Sequence, residues 1–147
     1  AENLCLGALP SRRGLLDREA MAERATTMLA EIGTTLEVWR AVGSLTIAQQ
    51  QMVQIAMAVS GGARIIIFDE PTRGVDVGAK SEIYALMRGL ADRGVAILMI
   101  SSDMEEVIGV SDRIAVMHEG AISGFLDRAQ FSEHNVLQLA VGNRVAA

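Results

Sequence analysis

Four consecutive apolar residues, Ile65 to Phe68, lead directly into two neighbouring carboxylates, Asp69 and Glu70. A short, continuous apolar run of this kind is typical of a parallel strand that is covered on both faces. In open α/β sheets, ligands bind beyond the carboxyl ends of the strands, which is where these two acids would lie. The segment therefore predicts an α/β fold with a ligand site at this edge of its sheet.

The rest of the chain alternates predicted helices with predicted strands. Apolar residues at helical spacing predict a helix from about 17 to 32, and Thr46 with Gln49 has the pattern of a capping box that opens a second helix. Further elements are expected as helices over 78–93, 104–109 and 132–141, a buried strand over 95–100, and strands over 113–117 and 121–126 that turn at Gly120. This order favours a layered α/β architecture.

Composition limits the kind of partner and compartment. The 147 residues, half of them hydrophobic, suit one compact domain. A net charge of −5 with a single lysine, Lys80, argues against a nucleic-acid partner. Cys5 is the only cysteine, so no internal disulfide can form. The opening Ala1 carries neither an initiator methionine nor a signal-peptide pattern, so we expect a fragment boundary there.

The two acids suit phosphoryl transfer. A carboxylate at Asp69 can hold Mg²⁺ through water, and one at Glu70 can orient or deprotonate a water that attacks a γ-phosphate. For an arbitrary Asp-Glu pair, a helix cap or a solvated loop is the commoner role. The flanking residues decide between these interpretations.

The stretch from Asp69 to Tyr84 closely resembles the Walker B and D-loop region of ABC ATPases. It is most similar to the second ATPase half of the tandem ATP-binding proteins that drive ribose-type and related monosaccharide importers. The resemblance implies a partial P-loop NTPase core with parallel strands, a C-terminal hairpin and part of the helical subdomain. It also implies that Glu70 is the catalytic glutamate, Asp69 the Walker B aspartate that holds Mg²⁺ through water, and Asp76 the D-loop aspartate that contacts a facing ATPase domain.

The likeness continues through residues 100–107 and 111–120. Most ABC ATPases place a histidine where Ser102 stands, to contact the γ-phosphate, and the second halves of the sugar-type proteins often carry serine there. The alternative role for Ser102 is a helix N-cap, because Ser102 and Glu105 have the spacing of a capping box.

Residues Thr46, Ile47, Ala48 and Gln49 align with the ABC signature motif, Leu-Ser-Gly-Gly-Gln, which presents a helix N-terminus to the phosphate bound by the partner domain. A hydroxyl is kept, but both glycines are absent. The branched side chain of Ile47 predicts weak phosphate binding at this edge. Because this variant resembles the signature of a first ATPase half, the chain is similar to a first half up to about Thr72 and to a second half beyond it.

A P-loop requires Gly-x-x-x-x-Gly-Lys-Ser/Thr, and the residues before Lys80 have the wrong glycine spacing. In the resembled family that loop lies upstream of the position of Ala1. We therefore expect a single partial ABC ATPase domain over 1–147, in which 1–60 form the helical subdomain and signature helix and 61–147 the remaining core. Alone, it should show no ATP turnover and should associate through open strand edges.

The resemblance implies an ATP-binding and ATP-hydrolysing subunit of a bacterial importer for a sugar or sugar-like solute, with ATP and Mg²⁺ as cofactors. Its partners would be a second ABC ATPase domain, membrane permease subunits and, indirectly, a periplasmic sugar-binding protein, and its place the cytoplasmic face of the inner (plasma) membrane. The alternative is a non-catalytic ABC-like interaction module that docks on a transporter or a partner ATPase. An ABC ATPase of DNA repair or translation is a third interpretation, which the acidic balance disfavours.

Overall fold

The computed structural model describes residues 1–143, which form two compact units, Ala1–Ile100 and the residues from Ser101 onward. The helices in this range are α1 Arg18–Glu31, α2 Ile47–Ser60, α3 Val77–Asp92, α4 Met104–Val110 and α5 Glu133–Ala140, with single 3₁₀ turns at Val42–Ser44 and Arg128–Gln130. The strands are β1 Ser11–Arg12, β2 Leu15–Leu16, β3 Ile65–Asp69, β4 Ala96–Ile100, β5 Arg113–His118 and β6 Ala121–Asp127. They pair as β1–β2, β3–β4 and β5–β6.

The first unit contains a parallel strand pair connected by a helix. Strands β3 and β4 run in register from Ile65 opposite Ala96 to Asp69 opposite Ile100, and α3 forms the connection between them. Such parallel β-α-β units define α/β architecture, as predicted. The buried side chains of Ile66 and Phe68 face a core built from α1, α2 and α3.

The expectation that this strand pair is buried on both faces is wrong. Along β3, exposed and buried residues alternate, and Ile65 and Ile67 keep 68% and 63% of their surface exposed. In β4, Leu98 and Ile100 are 53% and 50% exposed. The reason is that the helices of this unit cover only one face of a two-stranded sheet.

Capping residues fix the start of α1 and α2, two of the three long helices of the first unit. The Asp17 carboxylate accepts a hydrogen bond from the Ala20 N–H at 3.1 Å, so α1 begins where periodicity predicts. Helix α2 begins after Thr46 with the predicted capping box. Buried residues Ala25, Met28 and Leu29 of α1 belong to the same apolar core as those of α2. The short β1–β2 hairpin is not among the predicted elements.

The second unit is a hairpin covered by a helix. Strands β5 and β6 pair antiparallel, and the turn between them places Glu119 and Gly120 at φ of 48° and 80°. Two successive positive φ values match a type I′ turn, which confirms the predicted hairpin. The core of this unit is formed by Ile114, Val116, Leu126, Val136 and Leu139.

Among residues 1–143, no helix combines the length and apolar character that crossing a bilayer would need.

Candidate functional site

Asp69 and Glu70 lie at the carboxyl edge of the β3–β4 pair. Asp69 is the last residue of β3, stands opposite Ile100 and is exposed. The Glu70 N–H donates to the Ile100 carbonyl oxygen at 2.8 Å, which extends the strand ladder by one bond. The structure thus places both acids at the sheet edge where ligands of α/β folds bind.

The backbone of Glu70 is in the left-handed region, with φ +48°. This conformation is uncommon for a residue with a Cβ and costs of order 1–3 kcal/mol, so the surroundings must hold it. Besides its N–H bond to Ile100, Glu70 accepts a hydrogen bond through its carbonyl oxygen from the Arg73 N–H at 3.1 Å. Pro71 and Thr72, which follow, are buried. Such strained residues concentrate at functional sites.

Sequence reasoning did not find this strain. The only local signal for it is the acid-acid-proline order at the end of an apolar run, which marks a turn without specifying its φ values.

Asp76 caps the helix that follows the acid pair. Its Oδ1 accepts the Ala79 N–H at 3.0 Å and so stabilises the first turn of α3. A Cβ on Gly78 would lie 3.3 Å from the same Oδ1, so a glycine there leaves room for the cap. Asp76 therefore has a structural role within this chain beside the contact to a second domain that the resemblance implies. Lys80 lies inside α3, outside any glycine-rich loop.

The signature-like residues occupy the N-terminus of α2. The Thr46 hydroxyl accepts the Gln49 N–H and the Gln49 side chain accepts the Thr46 N–H, both at 3.2 Å. Ala48 is buried, whereas Ile47 is 47% exposed. No acidic residue stands in the first turn, so the positive end of the helix dipole is not offset by a carboxylate of that turn.

Ile47 lies beside the turn that links Glu70 to Asp76. Gly74, with φ +75°, approaches Ile47 so closely that a Cβ on the glycine would be 3.3 Å from Ile47 Cδ1. The structure therefore brings Ile47, at the N-terminus of α2, and the turn from Glu70 to Asp76 together within the first unit. No sequence pattern indicates this approach, because it joins residues from two different elements.

Ser102 belongs to the second unit and is exposed. The expected capping box of Ser102 with Glu105 is wrong. The N-cap of α4 is Asp103, whose Oδ1 accepts the Glu106 N–H at 3.2 Å. Asp103 provides a carboxylate cap one residue later than expected, while α4 itself begins at Met104, as predicted.

The acid pair suits a Mg²⁺ ion that is held mainly by the phosphates of a nucleotide. No group of three or more His, Cys, Asp or Glu side chains able to hold a metal occurs within the described part of the chain. Magnesium in phosphoryl-transfer sites needs only one or two carboxylates, because water and phosphate oxygens supply the other ligands. The exposed carboxylate of Asp69 meets that requirement. His118, the last residue of β5, instead has its Nδ1 2.8 Å from the carbonyl oxygen of Ala140 at the end of α5, which is a structural contact.

Comparison with known proteins gives consistent results. The family model described as ABC transporter matches residues 2–73. The ribose import ATP-binding protein of Lactococcus lactis subsp. cremoris (strain SK11) is 47% identical over 142 residues, covering 92% of this chain and 29% of the relative. The arabinose import ATP-binding protein of Vibrio parahaemolyticus is 44% identical over 146 residues, covering 99% and 28%. The chain thus spans less than a third of the length of these relatives.

Solved structures share the fold. A nucleotide-free ATP-binding cassette from an ABC transporter superposes with a TM-score of 0.77 at 24% identity, covering 97% of this chain and 62% of the other. A protein of Clostridium perfringens that is part of an ABC transporter complex gives a TM-score of 0.69 at 25% identity, covering 85% and 49%.

Proposed function

This chain belongs to the ABC transporter family, in the group of tandem ATP-binding proteins of monosaccharide importers, and we propose that it forms part of the ATP-binding and ATP-hydrolysing subunit of a bacterial importer for a sugar or sugar-like solute. The observation that carries this proposal is the adjacent pair Asp69 and Glu70 at the carboxyl edge of a parallel strand pair.

The two acids take separate roles. Asp69, exposed at the end of β3, would hold Mg²⁺ through water. When bound, Mg²⁺ neutralises charge that develops on the phosphates. Glu70 would orient the attacking water and accept its proton. The two backbone hydrogen bonds that hold Glu70 in its left-handed conformation fix the position from which its carboxylate acts.

A second ABC ATPase domain would complete the site. The N-terminus of α2, with Thr46, Ile47, Ala48 and Gln49, would face a nucleotide bound by that domain, as orphan N–H groups and the helix dipole favour an anion. The exposed Ile47 side chain favours weak phosphate binding there. Asp76 would contact the same domain, and Ser102 would supply a hydroxyl where related ATPases use a histidine.

The partners on the membrane side would be permease subunits, with a periplasmic sugar-binding protein acting through them. With these partners, the protein would lie peripherally at the cytoplasmic face of the inner membrane. The names of the relatives, import ATP-binding proteins for ribose and arabinose, support this assignment. Trp39 offers an exposed contact in the first 60 residues, with the Arg18 guanidinium 4.3 Å from its ring centroid.

A non-catalytic interaction module is the second candidate. The 147 residues contain no Gly-x-x-x-x-Gly-Lys-Ser/Thr pattern, and the signature-like segment lacks both glycines. Such a module would dock on a transporter or a partner ATPase without consuming ATP.

Reconstitution of the full-length protein with its permease in proteoliposomes distinguishes the two candidates. We expect uptake of labelled ribose or arabinose to require Mg-ATP and to be accompanied by phosphate release. Asp69→Asn should raise the Mg²⁺ concentration needed for half-maximal hydrolysis, whereas Asp92→Asn, an exposed change at the end of α3, should not. Uptake without phosphate release would support the interaction module instead.

A further inference from the structure

Glu106 is the one charged residue among residues 1–143 whose side chain is buried, with 3% of its surface exposed. Carboxylates are almost never buried to this extent unless they are paired, because the loss of hydration is costly. The role that the resemblance implies for the neighbouring Ser102 does not account for this burial. Glu106 therefore requires an explanation of its own.

Two hydrogen bonds join Glu106 to the segment that opens α4, and a third links two residues of that segment to each other. The Ser101 hydroxyl donates to Glu106 Oε2. The same Ser101 oxygen accepts the Asp103 N–H at 3.0 Å, and Asp103 Oδ1 accepts the Glu106 N–H at 3.2 Å. These bonds join residues 101, 103 and 106 in a closed ring. Ser102 lies between two of these residues, Ser101 and Asp103, in the sequence.

The second carboxylate oxygen, Oε1, is buried and has no hydrogen-bond partner among residues 1–143. An unpaired buried oxygen destabilises the fold, so an apolar side chain of similar size would serve packing as well or better. Burial of a carboxylate at this position is therefore better explained by the geometry that Oε2 imposes than by stability. That geometry fixes the backbone on both sides of Ser102.

We infer that Glu106 is a positioning residue, which acts through Ser101 to hold the turn that presents Ser102 to the γ-phosphate. The inference rests on the proposed function, in which Ser102 takes the place of the phosphate-contacting histidine. In this role Glu106 acts through Ser101 and not through a contact of its own with the nucleotide. Removal of its carboxylate would release Ser101, and with it the hydrogen bond to the Asp103 N–H.

The test uses the full-length protein with Glu106→Leu, Ser101→Ala and the double variant. Each should lower kcat on the order of 10- to 100-fold, the effect of misplacing a catalytic contact by about 1 Å. Each should also weaken binding of ATP relative to ADP, because only ATP carries the γ-phosphate. Residues that act as one unit are not additive, so the double variant should lose no more than the stronger single variant. Ser101→Thr, which keeps the hydroxyl, should retain wild-type values.

Glu105→Leu is the matched control, since it removes an exposed carboxylate one position earlier in the same helix turn. It should leave kcat and the ratio of ATP to ADP affinity unchanged. Should Glu106→Leu fail to fold, Ser101→Ala tests the inference alone, because it opens the ring while Glu106 stays in place.

Ser102→Ala separates failure of the inference from failure of the proposed function. If Ser102→Ala lowers kcat while folded Ser101→Ala and Glu106→Leu proteins keep the wild-type ATP to ADP ratio, the positioning role is overturned and the function stands. If Ser102→Ala changes nothing, the phosphate contact assigned to Ser102 fails and the positioning role fails with it.

Discussion

Glu70 combines its proposed chemical role with a conformational cost. Its position directly after the end of a strand could be predicted from the sequence, because the apolar run Ile65 to Phe68 marks that strand. Its φ of +48° could not, since a single left-handed residue leaves no periodic signal. The same holds for the approach of Gly74 to Ile47, which depends on how two elements pack.

The left-handed conformation of Glu70 predicts that glycine and alanine at this position differ in their effect on stability. Glycine adopts the left-handed conformation freely, whereas a residue with a Cβ costs about 1–2 kcal/mol there. Glu70→Gly should therefore be more stable than Glu70→Ala by about 1 kcal/mol, with both lacking ATP hydrolysis. Chemical denaturation of the two variants, which both lack the carboxylate, isolates the backbone effect. Equal stabilities would mean that Glu70 is not strained.

Helix and hairpin positions could largely be predicted, because caps and periodicity act within one element. Asp17 and Thr46 mark helix starts that the structure confirms, and Gly120 marks the turn of β5–β6. Burial of β3 and β4 could not be predicted from their apolar runs, because it depends on what covers each face. Helix α4 begins at Met104 as predicted, but its cap is Asp103 and not Ser102, because the residue directly before the helix provides the carboxylate.

Two glycine substitutions in the second unit should have opposite effects on stability. The first, in β6, tests how α5 packs on the β5–β6 hairpin, and the second, in α4, tests helix propensity. A Cβ on Gly124 would lie 2.7 Å from Leu139 Cδ2, and Leu139 is buried, so Gly124→Ala should destabilise the fold by about 1–3 kcal/mol. A Cβ on Gly109 in α4 would meet no atom of residues 1–143 within 4 Å apart from its chain neighbours and its own helix backbone, so Gly109→Ala should stabilise the fold by about 0.5–1 kcal/mol. Thermal unfolding of both proteins measures the difference. A stable Gly124→Ala protein would contradict the packing described for α5.

The first unit leaves one apolar sheet face uncovered. Ile65 and Ile67 of β3 lie beside Leu98 and Ile100 of β4 on this face, and all four are at least half exposed. Parallel sheets are normally covered on both faces, and a contiguous apolar patch marks an interaction surface. The chain spans less than a third of the length of these relatives, and we propose that segments equivalent to the rest of the relatives cover this face.

This face predicts that the 147-residue chain associates with itself when produced alone. Replacing Ile67 and Leu98 by lysine should shift the chain toward the monomer, since two charges on the patch oppose burial. Val77→Lys is the control, because Val77 is 85% exposed at the start of α3 and lies outside the patch. Size-exclusion chromatography with light scattering measures the masses. A monomeric wild-type chain would contradict this prediction.

The central claim is that Asp69 and Glu70 form the site of ATP hydrolysis, and single-turnover hydrolysis by a Glu70→Gln variant of the full-length protein tests it most directly. Glutamine keeps the size of the side chain but cannot accept the proton of the attacking water. We predict that ATP binding persists while the hydrolysis rate falls by about 10²- to 10⁴-fold. An unchanged hydrolysis rate would show that these acids do not carry the reaction.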